Sequence, residues 1–197
     1  MGLALGATPA IAEMAGTPEG VIAQLLGSER AARADLGTGR IARLASVAPT
    51  TTQEGMHSES WISARPAATG GAQWQCLTEA LYFEARGESA EGLFAVAEVI
   101  LNRVDSPRYP GTVCDVVNQG TGKRHACQFS YTCDGRPEEV HDQSAWQRVG
   151  KVARAMLDGA PRGLTDGALF YHTRSVTPSW ARKFHRTASI GVHHFYR

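Results

Sequence analysis

From residue 73 onward, three segments of the chain place apolar residues at helical spacing. They are "QWQCLTEALYFEA" (73–85), "AEGLFAVAEVILNRV" (90–104) and "HDQSAWQRVGKVARAMLDGAPRG" (141–163). The first and third each carry one apolar stripe, which predicts amphipathic helices. The second is apolar on nearly every side, which is typical of a helix at the centre of a core. Between the first two, Gly87 predicts a helix end and Ser89 an N-cap.

The apolar period changes near the C-terminus. The segments "GALFYHT" (167–173) and "SIGVHHFYR" (189–197) alternate or are rich in aromatic residues, which predicts two strands. The segment "RSVTPSWARKFHR" (174–186) connects them. Helices followed by a small sheet predict a mainly helical α+β domain over residues 73–197, with a small antiparallel sheet near the C-terminus.

Residues 1–72 have a different composition. Val21–Leu26 and Ile41–Val47 are short amphipathic stretches, and "SARPAATGGA" (63–72) is typical of a linker. The start, "MGLALGATPAIAEMAG", ends an apolar stretch on a small-x-small pattern but lacks a basic n-region. We interpret residues 1–72 as the remnant of an export signal followed by a partly disordered linker.

Composition is that of an ordinary globular protein. The 197 residues are 43% hydrophobic and 20% charged, and the formal net charge of +1 does not indicate a nucleic-acid partner. No apolar run approaches the roughly 20 residues that span a bilayer, so we expect no transmembrane segment. After Pro161 the chain carries six Arg or Lys residues against one acidic residue, Asp166. This basic stretch fits an anionic polymer, and a merely solvated surface explains it equally well.

Four cysteines, Cys76, Cys114, Cys127 and Cys133, allow three pairings in an exported protein. The short spacing in "CQFSYTC" suits a closed loop between Cys127 and Cys133, which leaves Cys76–Cys114. Zinc is disfavoured because no C-x-x-C motif is present. Four buried thiols in a cytosolic protein are the alternative.

Acid–base chemistry is best supported in "LYFEARGESAEG" (81–92), where Glu84 and Glu88 frame Arg86. A carboxyl group that follows a buried apolar run is partly desolvated. Desolvation raises its pKa, as a general acid working near neutral pH requires. The pattern favours Glu84 slightly over Glu88, and a solvated helix end is the simpler explanation of all these charges. We expect Glu79 on a solvated face and Glu98 paired with Asn102 or Arg103.

Two further segments supply groups that suit a sugar. The loop "CQFSYTCDG" offers polar groups and stacking faces, and the C-terminal strands offer clustered tyrosine and histidine. The candidates for substrate contact or support are Arg86, Glu88, Gln128, Phe129, Ser130, Tyr131, Tyr171, His172 and His194. The histidine spacing matches no metal motif such as H-E-x-x-H. We therefore predict no metal and no cofactor.

Several of these segments together resemble one known family. They are "EALYFEARGESAEGLFAVAEVILNRVDSPRYPGTVCDVVNQG", "CQFSYTCDG", "GALFYHT" with "VTPSWA", and "IGVHHFYR". The chain from about residue 75 to 197 resembles the bacterial cell wall hydrolases that include the spore-cortex-lytic enzymes of the SleB/CwlJ type. The resemblance implies a fold related to lysozyme-like lytic transglycosylases and a peptidoglycan substrate. The family's catalytic acid is the first glutamate of E-A-R-G-E, which is Glu84 here.

The function expected on this basis is cleavage of the glycosidic bond between N-acetylmuramic acid and N-acetylglucosamine. A lytic transglycosylase would leave a 1,6-anhydro product and needs one acid–base carboxyl group, with Glu88 and Arg86 in support. The alternatives are a zinc amidase using His172, His193 or His194, and a module that binds peptidoglycan without cleaving it. We expect a monomer located in the periplasm or cell envelope, with peptidoglycan strands as its partner.

Overall fold

The computed structural model describes residues 18–35, 53–123 and 126–197. The chain divides into two compact units, Met1–Thr50 and Thr51–Arg197. In the first unit, α1 (Pro18–Asp35) includes the predicted helical stretch Val21–Leu26. The other predicted stretch, Ile41–Val47, lies outside the described residues. None of the described helices is both long enough and apolar enough to cross a membrane.

The second unit carries the remaining described elements. Its helices are α2 (Gln53–Met56), α3 (Glu59–Ser63), α4 (Ala72–Ala85), α5 (Ala90–Asp105), α6 (Val113–Val117) and α7 (Gln143–Leu157). Its strands are β1 (Phe170–Thr173), β2 (Arg186–Ile190) and β3 (His193–Tyr196), and two 3₁₀ turns cover Ser130–Cys133 and Ser179–Arg182. The mainly helical α+β class and the late antiparallel sheet are therefore confirmed.

Helix α5 is the centre of the core, as its all-round apolar sequence predicts. Leu93, Val96 and Ile100 are fully buried, and α4 and α7 pack against it. Each such side chain contributes roughly 1.5–3 kcal/mol to stability. Ser89 caps α5 by accepting a hydrogen bond from Gly92 N at 3.2 Å. This cap fixes the turn between α4 and α5.

Helix α7 is held against α4 by polar contacts as well as by packing. The indole N–H of Trp74 donates to the carbonyl of Gly150 at 2.9 Å. The backbone N–H of Asp142 donates to the hydroxyl of Tyr82 at 3.0 Å, and the Asp142 side chain caps α7 by accepting from Ala145 N. The bonds of Trp74 and Tyr82 thus hold both ends of α4 against the α7 segment, and the bond of Tyr82 lies in the C-terminal half, which carries Glu84.

Residues 51–72 are part of the compact unit, although their composition resembles that of a linker. Met56 is 6% exposed and Ile62 is 2% exposed, so both belong to the core. Glu59 forms an ion pair with Arg148, which ties α3 to α7. Only a few apolar residues make these contacts, so the apolar pattern of this segment could not be distinguished from that of a linker.

The sheet has the strand order β1–β3–β2, and both pairings are antiparallel. The single strand predicted over 189–197 is wrong, because Gly191 adopts a φ of +56° and turns the chain. The result is a hairpin of β2 and β3. Strand β2 begins at Arg186, inside the segment that was predicted to be a connection.

The second unit contains one long-range and one local disulfide. Cys76–Cys114 links α4 to α6, and Cys127–Cys133 closes the loop that carries the first 3₁₀ turn. This is the pairing that the short spacing suggested.

Glu98, expected to pair with Asn102 or Arg103, instead accepts hydrogen bonds from Gly163 N, Leu164 N, Thr165 N and Thr165 Oγ1. Its role is structural, because it holds the loop before β1 against α5.

Candidate active site

Glu84 lies in the last turn of α4 and is partly buried. The hydroxyl of Tyr171, on β1, donates to its Oε2 at 3.2 Å. The two residues are 87 positions apart in the chain, so the sheet must dock on the helices before this contact can form. The structure thus brings one predicted catalytic residue and one predicted supporting residue together.

Arg103 supplies a buried positive charge close to this pair. It is 2% exposed, and its Nε donates to the carbonyl of Leu169 at 2.8 Å. The side-chain amide of Gln128, oriented with its oxygen toward Arg103, accepts from both terminal guanidinium nitrogens at 3.1 and 3.2 Å. The guanidinium carbon also lies 6.0 Å from the centre of the Tyr171 ring. A buried charge is costly unless it is compensated, and ionised Glu84 offers that compensation.

The environment of Glu84 combines burial with one hydrogen-bond donor and one nearby positive charge. Burial raises the pKa of Glu84, while the hydrogen bond from Tyr171 and the positive charge of Arg103 oppose the rise. Burial and the charge of Glu84 raise the pKa of Tyr171, so its hydroxyl stays a donor. Burial thus favours the protonated form of Glu84, while Tyr171 and Arg103 favour its ionised form.

A cavity of 310 Å³ lies at Tyr171 and Arg103, the two residues that act on the pKa of Glu84. It is lined by Arg103, Gln128, Phe170, Tyr171, Trp180 and Phe184. Aromatic faces with a few polar groups among them are suited to a sugar ring, which has both apolar and hydroxyl-bearing sides. Of the predicted contact residues, Gln128 and Tyr171 lie here.

A second cavity, of 260 Å³, includes Phe83, Arg86, Tyr131 and His141 in its lining. The rings of Phe83 and Tyr131 stack with their centres 4.6 Å apart. Tyr131 is 8% exposed, and burial together with the charges of Glu79, Glu84 and Glu138 raises its pKa. Glu84 itself lines neither cavity: it is the chain neighbour of Phe83, which lines the 260 Å³ cavity, and the hydrogen-bond partner of Tyr171, which lines the 310 Å³ cavity.

Glu88, the other carboxylate of the motif, has a different environment. Its Oε1 lies 3.1 Å from Nδ1 of His193 and accepts from Val192 N at 3.2 Å. It is 9% exposed, and a Cβ added at Gly191 would stand 1.9 Å from its Oε2. Glu88 therefore ties the β2–β3 hairpin to the turn between α4 and α5.

The remaining candidates lie away from Glu84 or serve the core. Phe129 is 2% exposed and packs in the core, whereas Ser130 is exposed. The Arg86 guanidinium lies over the Tyr82 ring at 4.6 Å. His172 bonds to the hydroxyl of Tyr196 at 2.9 Å, and His194 bonds to Ser189 at 2.8 Å, both on the sheet.

Sequence reasoning missed two charged residues near the site. Arg103 ends an apolar helix, where an arginine is ordinarily a solvated partner of the helix dipole. Glu79 was expected on a solvated face, but it is partly buried, and burial and the charge of Glu138 raise its pKa. The sequence offered one signal that Glu79 is partly buried, because Glu79 lies one helical turn from the aromatic residue Phe83. In the part of the chain that the structure describes, no three His, Cys, Asp or Glu side chains form a cluster suited to a metal.

Comparison with known proteins adds independent information. A family model described as Cell Wall Hydrolase matches residues 87–196. The spore cortex-lytic enzyme of Bacillus subtilis (strain 168) is 54% identical over 122 residues, which are 60% of this chain and 35% of that enzyme. The spore cortex-lytic enzyme of Halalkalibacterium halodurans is 33% identical over 135 residues, which are 66% of this chain and 36% of that enzyme. The chain thus spans about a third of the length of these curated relatives.

Among solved structures, a catalytic domain has a similar fold. It belongs to the germination-specific lytic transglycosylase SleB from Bacillus anthracis, with a TM-score of 0.51 and 28% identity. The match covers 68% of this chain and 100% of that domain. The fold expected from the sequence resemblance is therefore confirmed.

Proposed function

Because the chain belongs to the Cell Wall Hydrolase family, we propose that it cleaves the bond between N-acetylmuramic acid and N-acetylglucosamine in peptidoglycan. We propose further that it does so as a lytic transglycosylase, with Glu84 as the acid and then the base. The similar spore cortex-lytic enzymes and the SleB catalytic domain support the reaction class. The observation that carries the residue assignment is the partly buried Glu84 carboxyl group, which accepts a hydrogen bond from Tyr171, a lining residue of the 310 Å³ cavity.

In the first step, protonated Glu84 donates its proton to the glycosidic oxygen. The bond between this oxygen and C1 of the muramic acid breaks, its electrons stay on the oxygen, and positive charge develops at C1. A carboxyl group with a raised pKa is suited to this donation near neutral pH. The leaving sugar departs with a free hydroxyl group.

In the second step, the Glu84 carboxylate takes the proton from the C6 hydroxyl of the muramic acid. The C6 oxygen bonds to C1 and forms the 1,6-anhydro ring, which restores protonated Glu84 without consuming water. Arg103 and Tyr171 stabilise the ionised carboxylate between the steps through charge and a hydrogen bond. One carboxyl group therefore serves both steps.

The surroundings of Glu88 favour this single-acid route over the paired carboxylates of ordinary glycosidases. The Glu88 carboxylate already contacts Nδ1 of His193 and accepts a hydrogen bond from the backbone N–H of Val192. It is therefore a poor candidate for a second nucleophile or base. Its proposed role, like that of Arg86, is to support the connection between α4 and α5, which directly follows Glu84 and Ala85.

The proposed substrate lies outside the cytoplasm, so the protein acts in an extracytoplasmic location. Two disulfides are typical of such compartments. Within this location we propose the periplasm or cell envelope, with the protein acting as a monomer on glycan strands.

Digestion of purified sacculi followed by mass spectrometry of the released muropeptides tests the proposal. We expect the unmodified protein to release 1,6-anhydro products with and without EDTA, and Glu84→Gln to lose about 10²-fold or more of that activity while staying folded. Glu88→Gln is the matched control and should lose less. Release of anhydro products by Glu84→Gln at the unmodified rate would remove Glu84 from the role. EDTA-sensitive release of stem peptides would indicate an amidase instead.

A further inference from the structure

The C-terminal sheet has two chemically different faces, because successive side chains of a strand point to opposite sides. Tyr171 faces inward to Glu84, and its cross-strand partner Phe195 is fully buried. Phe170 and His172 must then lie on the outer face. The same alternation on β3 places His194 and Tyr196 there, and the register pairs them with His172 and Phe170.

The outer face carries a continuous group of aromatic rings. Trp180, from the second 3₁₀ turn, lies 5.4 Å from Tyr196, 5.5 Å from His172 and 5.7 Å from Phe170, measured between ring centres. Phe184 stacks on Phe170 at 4.5 Å and is 37% exposed. We call this group the outer aromatic cluster: Phe170, His172, Trp180, Phe184, His194 and Tyr196.

Unpaired positive charges surround the outer aromatic cluster. Arg174, Arg182, Lys183 and Arg186 are all exposed, and residues 167–197 include no acidic residue. None of these four side chains forms an ion pair with a carboxylate among the described residues. Arg186 and Arg174 lie close enough to His194 that their charges, after burial, lower its pKa. Four of the six cations of the basic C-terminal stretch are therefore close in the chain or across the sheet to residues of the outer aromatic cluster.

This surface continues into the candidate active site. Phe170, Trp180 and Phe184 belong to the outer aromatic cluster and also line the 310 Å³ cavity, whose lining includes Tyr171, the hydrogen-bond donor to Glu84. A polymer bound in that cavity can extend over the cluster without leaving the protein surface. The aromatic rings suit the apolar faces of sugar rings, and the cations suit carboxylates.

We propose that the outer aromatic cluster and the four surrounding cations form a second binding surface for the peptidoglycan strand. This inference rests on the proposed function and adds a chemical requirement to it. The surface binds the part of the strand that continues past the cleaved bond, and the cations contact the carboxylates of that strand. Binding to the wall then depends on carboxylate charge as well as on sugar rings.

Charge reversal tests the surface apart from catalysis. In a Glu84→Gln background, Arg182→Glu with Lys183→Glu should lower affinity for purified sacculi about fivefold in a low-salt sedimentation assay. The difference should shrink at 1 M NaCl, where the Debye length is about 3 Å. The matched control is Arg65→Glu with Lys151→Glu, which changes net charge equally at a cavity that shares no lining residue with the 310 Å³ cavity. Equal losses in the two double variants, or no loss in the first, would overturn the proposal.

Chemical modification of the wall tests the ligand. Sacculi whose carboxylates are converted to neutral amides should bind only weakly to protein with the unmodified surface. Their affinity should equal that of untreated sacculi for the Arg182→Glu, Lys183→Glu variant. Undiminished binding to amidated sacculi would rule out carboxylate recognition. Phosphatidylglycerol vesicles are the comparison for a membrane surface, and stronger retention on vesicles than on sacculi would also overturn the proposal. Cleavage by Glu84→Gln tests the proposed function separately, so either inference can fail alone.

Discussion

Arg103 places a buried positive charge near Glu84. This charge lowers the pKa of Glu84 and so opposes the effect of burial, which raises it. In Arg103→Met the opposing charge is lost, so the pKa of Glu84 should rise further. Protonated Glu84 is the active form in the first step, and activity falls as pH rises through its pKa. The alkaline limb of the kcat/KM profile should therefore move to higher pH, while kcat falls because the ionised intermediate is less stabilised.

Arg103→Lys is the matched control, since it keeps the charge but loses the planar contacts with Leu169 and Gln128. Its alkaline limb should stay near that of the unmodified protein. Both variants lose a buried hydrogen bond to Leu169, which costs roughly 1–3 kcal/mol of stability. Thermal unfolding must therefore accompany the pH profiles. An unmoved limb in a folded Arg103→Met would show that the charge does not act on Glu84.

At the scale of elements, the β2–β3 hairpin depends on one close approach between a glycine and a carboxylate. Gly191 combines a φ of +56° with a position where an added Cβ would stand 1.9 Å from Glu88 Oε2. Gly191→Ala should strain the backbone and displace Glu88, and we expect a loss of about 2 kcal/mol or more in the free energy of unfolding. Activity should fall too, because the same sheet positions Tyr171.

Denaturant unfolding measures the stability lost in Gly191→Ala, and Gly135→Ala is the control variant for that measurement. Gly135 has a φ of +75°, but no atom outside its chain neighbours lies within 4 Å of the added Cβ. It therefore reports backbone strain alone, about 1 kcal/mol. If both alanine variants lose the same stability, then the contact with Glu88 contributes nothing.

The elements also show why some of this structure was predictable and some was not. Helices α4, α5 and α7 follow from apolar spacing within each segment, and the place of Glu84 follows from the end of an apolar run. The hairpin was missed because alternation continues through Ile190 and Val192 across the turn at Gly191. Tyr171 was among the sequence candidates, but its hydrogen bond to Glu84 joins residues 87 positions apart, so no local pattern predicts that contact.

At the scale of the whole molecule, the two disulfides have separate effects. Cys76–Cys114 closes a loop with a sequence separation of 38, and Cys127–Cys133 closes one of only 6. In the chain-entropy description the longer loop contributes about 4 kcal/mol and the shorter about 2 kcal/mol. The shorter loop, however, carries Gln128, which lines the 310 Å³ cavity, and Tyr131, which lines the 260 Å³ cavity. We therefore expect stability to depend more on the first disulfide and activity more on the second.

Two double serine variants, one for each disulfide, test this division by guanidinium unfolding and sacculus digestion. Removing Cys76–Cys114 should lower the unfolding midpoint more, yet leave kcat nearly unchanged well below that midpoint. Removing Cys127–Cys133 should lower the midpoint less but reduce kcat more, because the loop no longer holds Gln128 against Arg103. The two measurements should thus rank the variants in opposite order. The same order in both would mean that the short loop affects activity only through stability, and that Gln128 and Tyr131 need no disulfide to hold them beside Glu84.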